Sequence, residues 1–486
     1  MIDRPHRSVP RSRIDELDRV LERDPDAIAA RFERAALLRE QGLFEPAKRD
    51  YLELIRRRPT DFAALNDFGT LVLKAGYREA ARSLFGEAVR HHPQNPSGHV
   101  NLGNLLLLLG DRAQARLHFE AALRIDSGHI HAHRGMGNLL AETGDAAGAR
   151  RHRDAGFKGH AVTALPYRGE GRPIAVLLLV SAAGGNIPMD AILDDRTFKT
   201  TVLVTEYCDP KAPLPPHDVV FNSIGDADLC GEGLEAARAV LARSGRPVIN
   251  HPLHVLKTGR LANAERLRGL SNVVAPRMIR LPLDVLAAPE AAEAVARSGL
   301  SFPLLLRAPG FHTGHHFVRV AVARELAAAV ADFPGANAWL IEQLDARDAM
   351  GAFRKFRVMF VDGKLFPLHL AISPSWKVHY FTADMAQSAA NRGKDAAFLA
   401  DMANVIGARG IAALHAINAA LGLDYGGIDF AVNQEGDILF FEANATMVVM
   451  PPTSDEKWVY RRPAVANVFA AVRKMLAARS VAESAA

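Results

Sequence analysis

Asp429, Glu442 and Asn444 are the residues whose types and spacing best suit chemistry. They lie in GGIDFAVNQEGDILFFEANAT, residues 426–446. IDFAV and ILFFEANA are β-rich runs, and NQEGD between them is turn chemistry with Gly436 at its tip. Glu442 and Asn444 are two apart on the second strand, so they leave the same face. A paired hairpin puts Asp429 across from them. Three oxygen donors on one rigid face suit magnesium, a hard cation that takes oxygen ligands and keeps phosphate oxygens in its shell; manganese fits the same set. The apolar neighbours (IDF, LFFEANA) argue for a partly buried site, where carboxylate charge is costly without a compensating cation. A solvated surface hairpin is the plainer alternative.

The elements that position this hairpin belong to a chain of 486 residues, too long for one core and sized for two or three domains. A composition of 49% hydrophobic and 23% charged residues is globular. The net charge of +5 is modest at this length and argues against a nucleic-acid surface. Cys208 and Cys230 form neither a metal spacing nor a disulfide framework, which suits a reducing cytosol. The Arg-rich start lacks the apolar core of a signal peptide, and Asp3, Asp15, Glu16 and Asp18 count against a transit peptide. The longest apolar runs, 105–109 and 174–180, are far short of a membrane span. The expectation is a cytoplasmic protein with no nucleic-acid and no membrane partner.

The first third repeats. Gly42, Gly76, Gly110 and Gly144 stand 34 apart, as do Ala47, Ala81, Ala115 and Ala149. Ala35, Gly69, Gly103 and Gly137 keep the same step, and so do the aromatics Tyr51, Phe85 and Phe119. Pro25, Pro59 and Pro93 fit the register. Small residues where helices cross, a Gly turn and a closing Pro at this period are the tetratricopeptide (TPR) pattern. Residues 1–160 are therefore expected to form an all-α solenoid of about four repeats behind a lone helix at 12–24. The last repeat decays, with Arg153 where an aromatic stood. The first helix of each repeat lines the inner surface, where Asn66, Asn104, Arg134 and Asn138 could hold an extended peptide by its backbone; ordinary exposed polar residues read equally well. His129, His131 and His133 alternate along a helix and do not face one another, so they read as surface histidines.

Residues 161–172 have linker composition. From Pro173 strands alternate with helical stretches: IAVLLLV, TVLVTEY and DVVFNSI, then GEGLEAARAVLAR and PVINHP. That alternation predicts a small parallel-sheet α/β domain over 173–280. Gly231-x-Gly233-x-x-Ala236 mimics a dinucleotide fingerprint but follows no strand end, and it is discounted.

Asp429…Glu442-x-Asn444 resembles the last motif of the ATP-grasp carboxylate–amine ligases, over roughly residues 172–478. The resemblance implies an α/β ATP-grasp domain at 281–486 whose Asp, Glu and Asn hold magnesium against ATP. It implies phosphate contacts from Arg260 and Arg307, each where the family often has Lys. A loop with Gly310, Thr313 and Gly314 would close over the γ-phosphate; its interleaved His312, His315 and His316 read as decoration or as contacts. Glu342, Gln343 and Leu344 would take the adenine edge, with Asp345 or Asp348 at the ribose. Arg357, joined by Lys355 and Arg307, would carry catalysis at the phosphate and acyl-phosphate. Trp376, Lys377, His379 and Tyr380 stand where the family places acceptor-binding residues. A long helix over 395–421 would pack on the sheet.

The implied reaction joins a carboxylate to an amine, using ATP and magnesium, on a peptide or protein recruited by the repeats. Two other classes compete. One is a non-catalytic nucleotide-binding TPR scaffold, suggested by the two Lys-to-Arg departures. The other is a repeat-bearing transferase, against which the Asp…Glu-x-Asn hairpin counts.

Overall fold

A computed structural model describes residues 10–310, 316–348, 350–378, 380, 383–453 and 455–481. The chain divides into two compact units, 1–160 and 161–486.

The first unit is helical. A lone helix α1 (Pro10–Arg23) precedes four antiparallel pairs: α2 (Ile28–Glu40) with α3 (Phe44–Arg57), α4 (Phe62–Lys74) with α5 (Arg78–His91), α6 (Pro96–Leu108) with α7 (Arg112–Ile125), and α8 (Ile130–Glu142) with α9 (Ala146–Phe157). Asp61, Asn95, Asp111 and Asp145 start helices by accepting backbone N–H groups, the usual role of Asp and Asn at an N-cap. The glycines at the 34-residue step turn the chain at positive φ, for example +90° at Gly76, a conformation that costs other residues steric energy. The second small-residue series is a packing requirement. A Cβ on Gly69 would come within 2.5 Å of the Phe85 ring, and one on Gly103 within 2.8 Å of Phe119. Periodicity in the sequence is thus periodicity of one contact, helix backbone against aromatic face.

Tyr51 occupies the aromatic position of the first repeat, fully buried, and among the described residues its hydroxyl finds no partner. A buried unpaired hydroxyl costs about 1–3 kcal/mol. Tyr51→Phe, which copies the next two repeats, should therefore raise stability by about 1 kcal/mol. The check is a higher urea midpoint at unchanged slope.

The second unit holds three sheets. In the first, β2 (Ile174–Val180), β3 (Phe198–Val204), β4 (Val219–Asn222) and β5 (Val248–Ile249) run parallel in the order β3-β2-β4-β5. β1 (Val162–Ala164) pairs antiparallel on the β3 edge, so part of the expected 161–172 linker is a strand that covers an open edge. β6 (Val273–Val274) and β7 (Met278–Pro282) do not join this sheet, as a boundary at 280 required. β7 opens the second sheet, order β7-β10-β8-β9, with β8 (Leu304–Arg307), β9 (Phe317–Val320) and β10 (Asn337–Glu342). β6 lies at the edge of the third, order β12-β11-β13-β14-β6, with β11 (Phe353–Val361), β12 (Lys364–Ser373), β13 (Tyr425–Val432) and β14 (Ile438–Asn444).

The single helix expected over 395–421 is interrupted twice: Ala389–Ala400 and Met402–Leu421 meet at a 60° bend, and the second is kinked again at Gly407, whose φ is +79°. Asp401 breaks the run because its side chain caps the second helix through the Asn404 N–H. Among the described residues no single helix is long and apolar enough to cross a membrane.

Candidate functional site

The third sheet carries a polar row. Register pairs His369 with Arg357, Arg357 with Asp429, and Asp429 with Glu442, across β12, β11, β13 and β14. Cross-strand partners share a face, so four ionisable side chains line up. The neighbouring register positions Phe356, Phe430 and Phe440 are buried on the other face, with Phe356 stacked on Phe430 at 5.4 Å. On β11 and β13 this is period-two alternation; on β14, where Phe440 and Glu442 are two apart, the extra residue Phe441 reverses the faces so that the aromatic packs inward and the acid joins the row. The bulge after Asp429 is a device that re-aims side chains beside functional sites.

Asp429 is 4% exposed. Arg357 donates to both of its oxygens at 2.5 and 2.8 Å, and Lys355 adds a bond at 3.0 Å. Burial alone would raise the Asp429 pKa, but Arg357 and Lys355 outweigh it and hold the carboxyl far below the ordinary range. Glu442 Oε1 accepts from Arg260 Nη2 at 2.7 Å and from Asn444 Nδ2 at 3.1 Å. Burial opposes its ionisation, Arg260 and Arg307 favour it, and its pKa ends lowered. The Asn444 amide oxygen accepts from Thr446.

Two elements bring cations to this row. The helix Arg260–Leu267 is pinned to β14 by Asn263, which donates to the Ala443 carbonyl at 2.7 Å. Arg307 ends β8, buried, with its guanidinium over the Phe317 ring. Burial, and then the like charge of Arg260, push the Arg307 pKa down to about 10. Two guanidiniums that repel each other beside one carboxylate make a strong anion field. Asn250 ties the first sheet to the hairpin, exchanging two 2.8 Å bonds with the Tyr425 backbone at φ +56°.

The loop after β4 contributes residues that sequence reasoning missed. Asp226 and Asp228 line a cavity of about 30 Å³ together with Arg260, Glu442, Asn444 and Thr446. Asp228 accepts the Arg260 N–H. The signal was present: acids just past the carboxyl end of a parallel strand sit where such sheets bind ligands.

Other expected residues fall elsewhere. Thr313, Gly314 and His379 lie outside the described residues, as do His312 and His315. Gly310 ends the described stretch beyond Arg307 with φ +78°. Glu342 accepts the Arg277 N–H, Gln343 accepts from Arg319, and Leu344 packs with Ala346, Ala431 and Leu439; the three form the passage from the second sheet to the third. Asp348 does not face the site. It accepts the N–H groups of Met350 and Ala352 and pairs with Arg354, holding its own turn. Trp376 meets Phe317 edge-on at 5.3 Å, and Lys377 donates to the Phe317 carbonyl, so both lie near Arg307. Tyr380 turns inward instead. It is 5% exposed, bonds Asp395 beside Tyr460, and stacks under Arg461. A phenol needs a buried acceptor, and Asp395 provides it.

In the repeat unit Asn104 and Asn138 are exposed on α6 and α8, and Asn66 accepts from Asn101 at 2.6 Å. Arg134 is not a groove residue in this arrangement. It bonds the Gly156 and His160 carbonyls and lies over Phe157, closing the end of the array. His133, read as a surface group, bonds His152.

No protein-family model matches the chain, and no curated protein does. Among solved structures it is similar to MamA (18% identity, 29% of this chain and 84% of that one, TM-score 0.28). It is similar to a thermophilic TPR protein of Thermus thermophilus (21%, 29% and 79%, TM-score 0.26) and to Pseudomonas aeruginosa pilF (23%, 30% and 68%, TM-score 0.28). The structural neighbours include tetratricopeptide proteins, and the helix-pair repeat described above stands without them.

Proposed function

We propose that the chain is an ATP-grasp ligase, dependent on ATP and magnesium, that joins a carboxylate to an amine on a peptide or protein recruited by its tetratricopeptide array. One observation carries this reading: Arg260 and Arg307 converge on Glu442 while Lys355 and Arg357 grip Asp429 in the adjacent register position. Four cations meet the two acids of the row, with Asp226 and Asp228 at its edge, a balance that suits a polyanion arriving with its own divalent ion.

The donor types suit a hard divalent ion. Glu442 and Asn444 leave one strand side by side with Asp429 in register, and the cavity beside Asp226, Asp228 and Glu442 is lined by these carboxylates together with Arg260. Binding requires the Asn444 amide, which now gives its Nδ2 to Glu442 and its oxygen to Thr446, to turn, and Asp429 to share an oxygen with Arg357 and Lys355. Asp429, Glu442 and Asn444 would hold magnesium, which when bound neutralises charge on the phosphates. Arg260 and Arg307 would meet phosphate oxygens, and Arg357 with Lys355 the oxygen of the acyl group. A substrate carboxylate oxygen bonds the γ-phosphorus as ADP leaves. An amine nitrogen then bonds the acyl carbon, phosphate departs, and the ammonium proton passes to solvent. No side-chain nucleophile is required.

Charge sets the order of binding. The acids Asp226, Asp228, Asp429 and Glu442 only balance the four cations, so a divalent ion alone gains little. Calorimetry should show weak magnesium uptake without nucleotide and strong uptake of magnesium with ATP. Tight magnesium binding to the free chain, or ATP binding undiminished by chelator, would sink the reading. The catalytic part is tested by ADP release after incubation with whatever co-purifies with residues 1–160. ATP uptake without ADP under every acceptor would favour a nucleotide-binding scaffold.

A further inference from the structure

One coordinate of the repeat array is filled in three ways across the four repeats. It lies across the two helices of a pair, 19 residues apart. The first pair places Arg31 against Asp50 at 3.3 Å, and the second has Leu65 and Leu84 at the same steps. In the third, His99 on α6 meets His118 on α7, Nδ1 to Nδ1 at 3.0 Å; in the fourth, His133 on α8 meets His152 on α9 at 2.9 Å. A contact that recurs at the 34-residue step in two repeats is built into the array.

The bonds fix the protons. His99 Nε2 lies 3.0 Å from the Pro93 carbonyl, and His133 Nε2 lies 3.0 Å from the Ser127 carbonyl. Carbonyls only accept, so those nitrogens carry hydrogen and the Nδ1 atoms of neutral His99 and His133 are acceptors. His118 and His152 must donate through Nδ1. A first added proton can sit on the far nitrogen of His118 or His152; a second turns the shared bond into two opposed N–H donors. Each pair shares one proton between two ring nitrogens, so proton uptake acts on this contact directly.

We infer that the His99–His118 and His133–His152 pairs are an acid-sensitive joint that loosens the third and fourth repeats, and with them the Asn104–Asn138 part of the groove, while the first two repeats hold. Burial and the partner ring push His118 and His152 below the usual histidine value of 6.5. A lowered folded pKa means that the unfolded segment takes up protons first, so stability is intact above about pH 6.5 and falls as pH drops below it. The surrounding charges do not cancel the effect. Arg151 opposes protonation of His152, Asp145 favours it and caps α9. On the flanking elements Glu87 pairs with Arg90 and His91, Arg112 with Glu142, and Arg134 with backbone carbonyls.

The test is amide hydrogen exchange of the full chain at pH 7.5 and 5.5, corrected for intrinsic rates. Protection over 96–157 should fall at least tenfold more than over 28–91. His99→Leu/His118→Leu with His133→Leu/His152→Leu copies the second repeat and should erase that difference. If the Leu set does not fold, His118→Gln with His152→Gln keeps a donor that cannot be charged and should do the same. Equal loss in both halves, no loss, or a selective loss that survives these substitutions would overturn the inference. None of these outcomes depends on the ligase reading.

Discussion

Glu442→Gln is expected to lower ATP-dependent ADP formation on the order of a hundredfold or more while leaving the fold intact. The magnitude is that of removing one preorganised charge-stabilising group from a water-poor site. Glu442 is the cleaner probe of the two acids. Its carboxylate is partly exposed, and Gln keeps an oxygen that can accept from Arg260, so the structural loss is small. Asp429→Asn should abolish the same activity but also destabilise the chain. It leaves Lys355 and Arg357 facing a neutral amide in a buried row, and a broken buried pair typically costs about 3–5 kcal/mol. Circular dichroism separates the effects: a folded Glu442→Gln with undiminished ADP release would remove the reaction from this site.

How much was legible depends on how far apart the contacting residues lie in the chain. The repeats were readable because every defining contact, Gly69 with Phe85 or Gly103 with Phe119, spans only 16 residues and recurs. The hairpin was readable because a Gly turn sets its pairing to within one residue; the bulge after Asp429, which no local pattern announces, makes the last step and brings Glu442 rather than Phe441 opposite Asp429. Arg260 lies 182 positions from Glu442, and no local pattern joins them; only the resemblance put both in one site. The same holds for Asp226 and Asp228, whose loop is placed by sheet topology. Tyr380 was misread because amphipathic residues near a site look alike from sequence, whether they face a substrate or a buried carboxylate such as Asp395. Asp401 broke a helix whose apolar spacing ran through it, since a capping residue is invisible to a periodicity count. The histidine pairs were within reach: reading the array at a step of 34 with an offset of 19 aligns Arg31–Asp50, Leu65–Leu84 and both His pairs. Scanning along one helix, as for His129 to His133, cannot find a pair formed between two.

Asp50→Ala should destabilise the repeat unit by about 3–5 kcal/mol, the size of a buried ion pair broken on one side. Asp50 is 2% exposed and accepts from Arg31 at 3.3 Å and from Arg34 at 2.6 and 2.8 Å, and Arg34 also reaches Asp18. Removing the acid leaves two guanidiniums at one helix interface, and only one of them keeps another carboxylate. The second repeat supplies the comparison, because it fills the Arg31 and Asp50 positions with Leu65 and Leu84. Arg31→Leu combined with Asp50→Leu should cost less than Asp50→Ala alone, since two apolar groups of matching volume replace a desolvated pair. A double-mutant cycle read from urea midpoints measures the difference. If Asp50→Ala costs under about 1 kcal/mol, as exposed pairs do, then the first repeat is held by its Ala35–Tyr51 packing, and its charges contribute little.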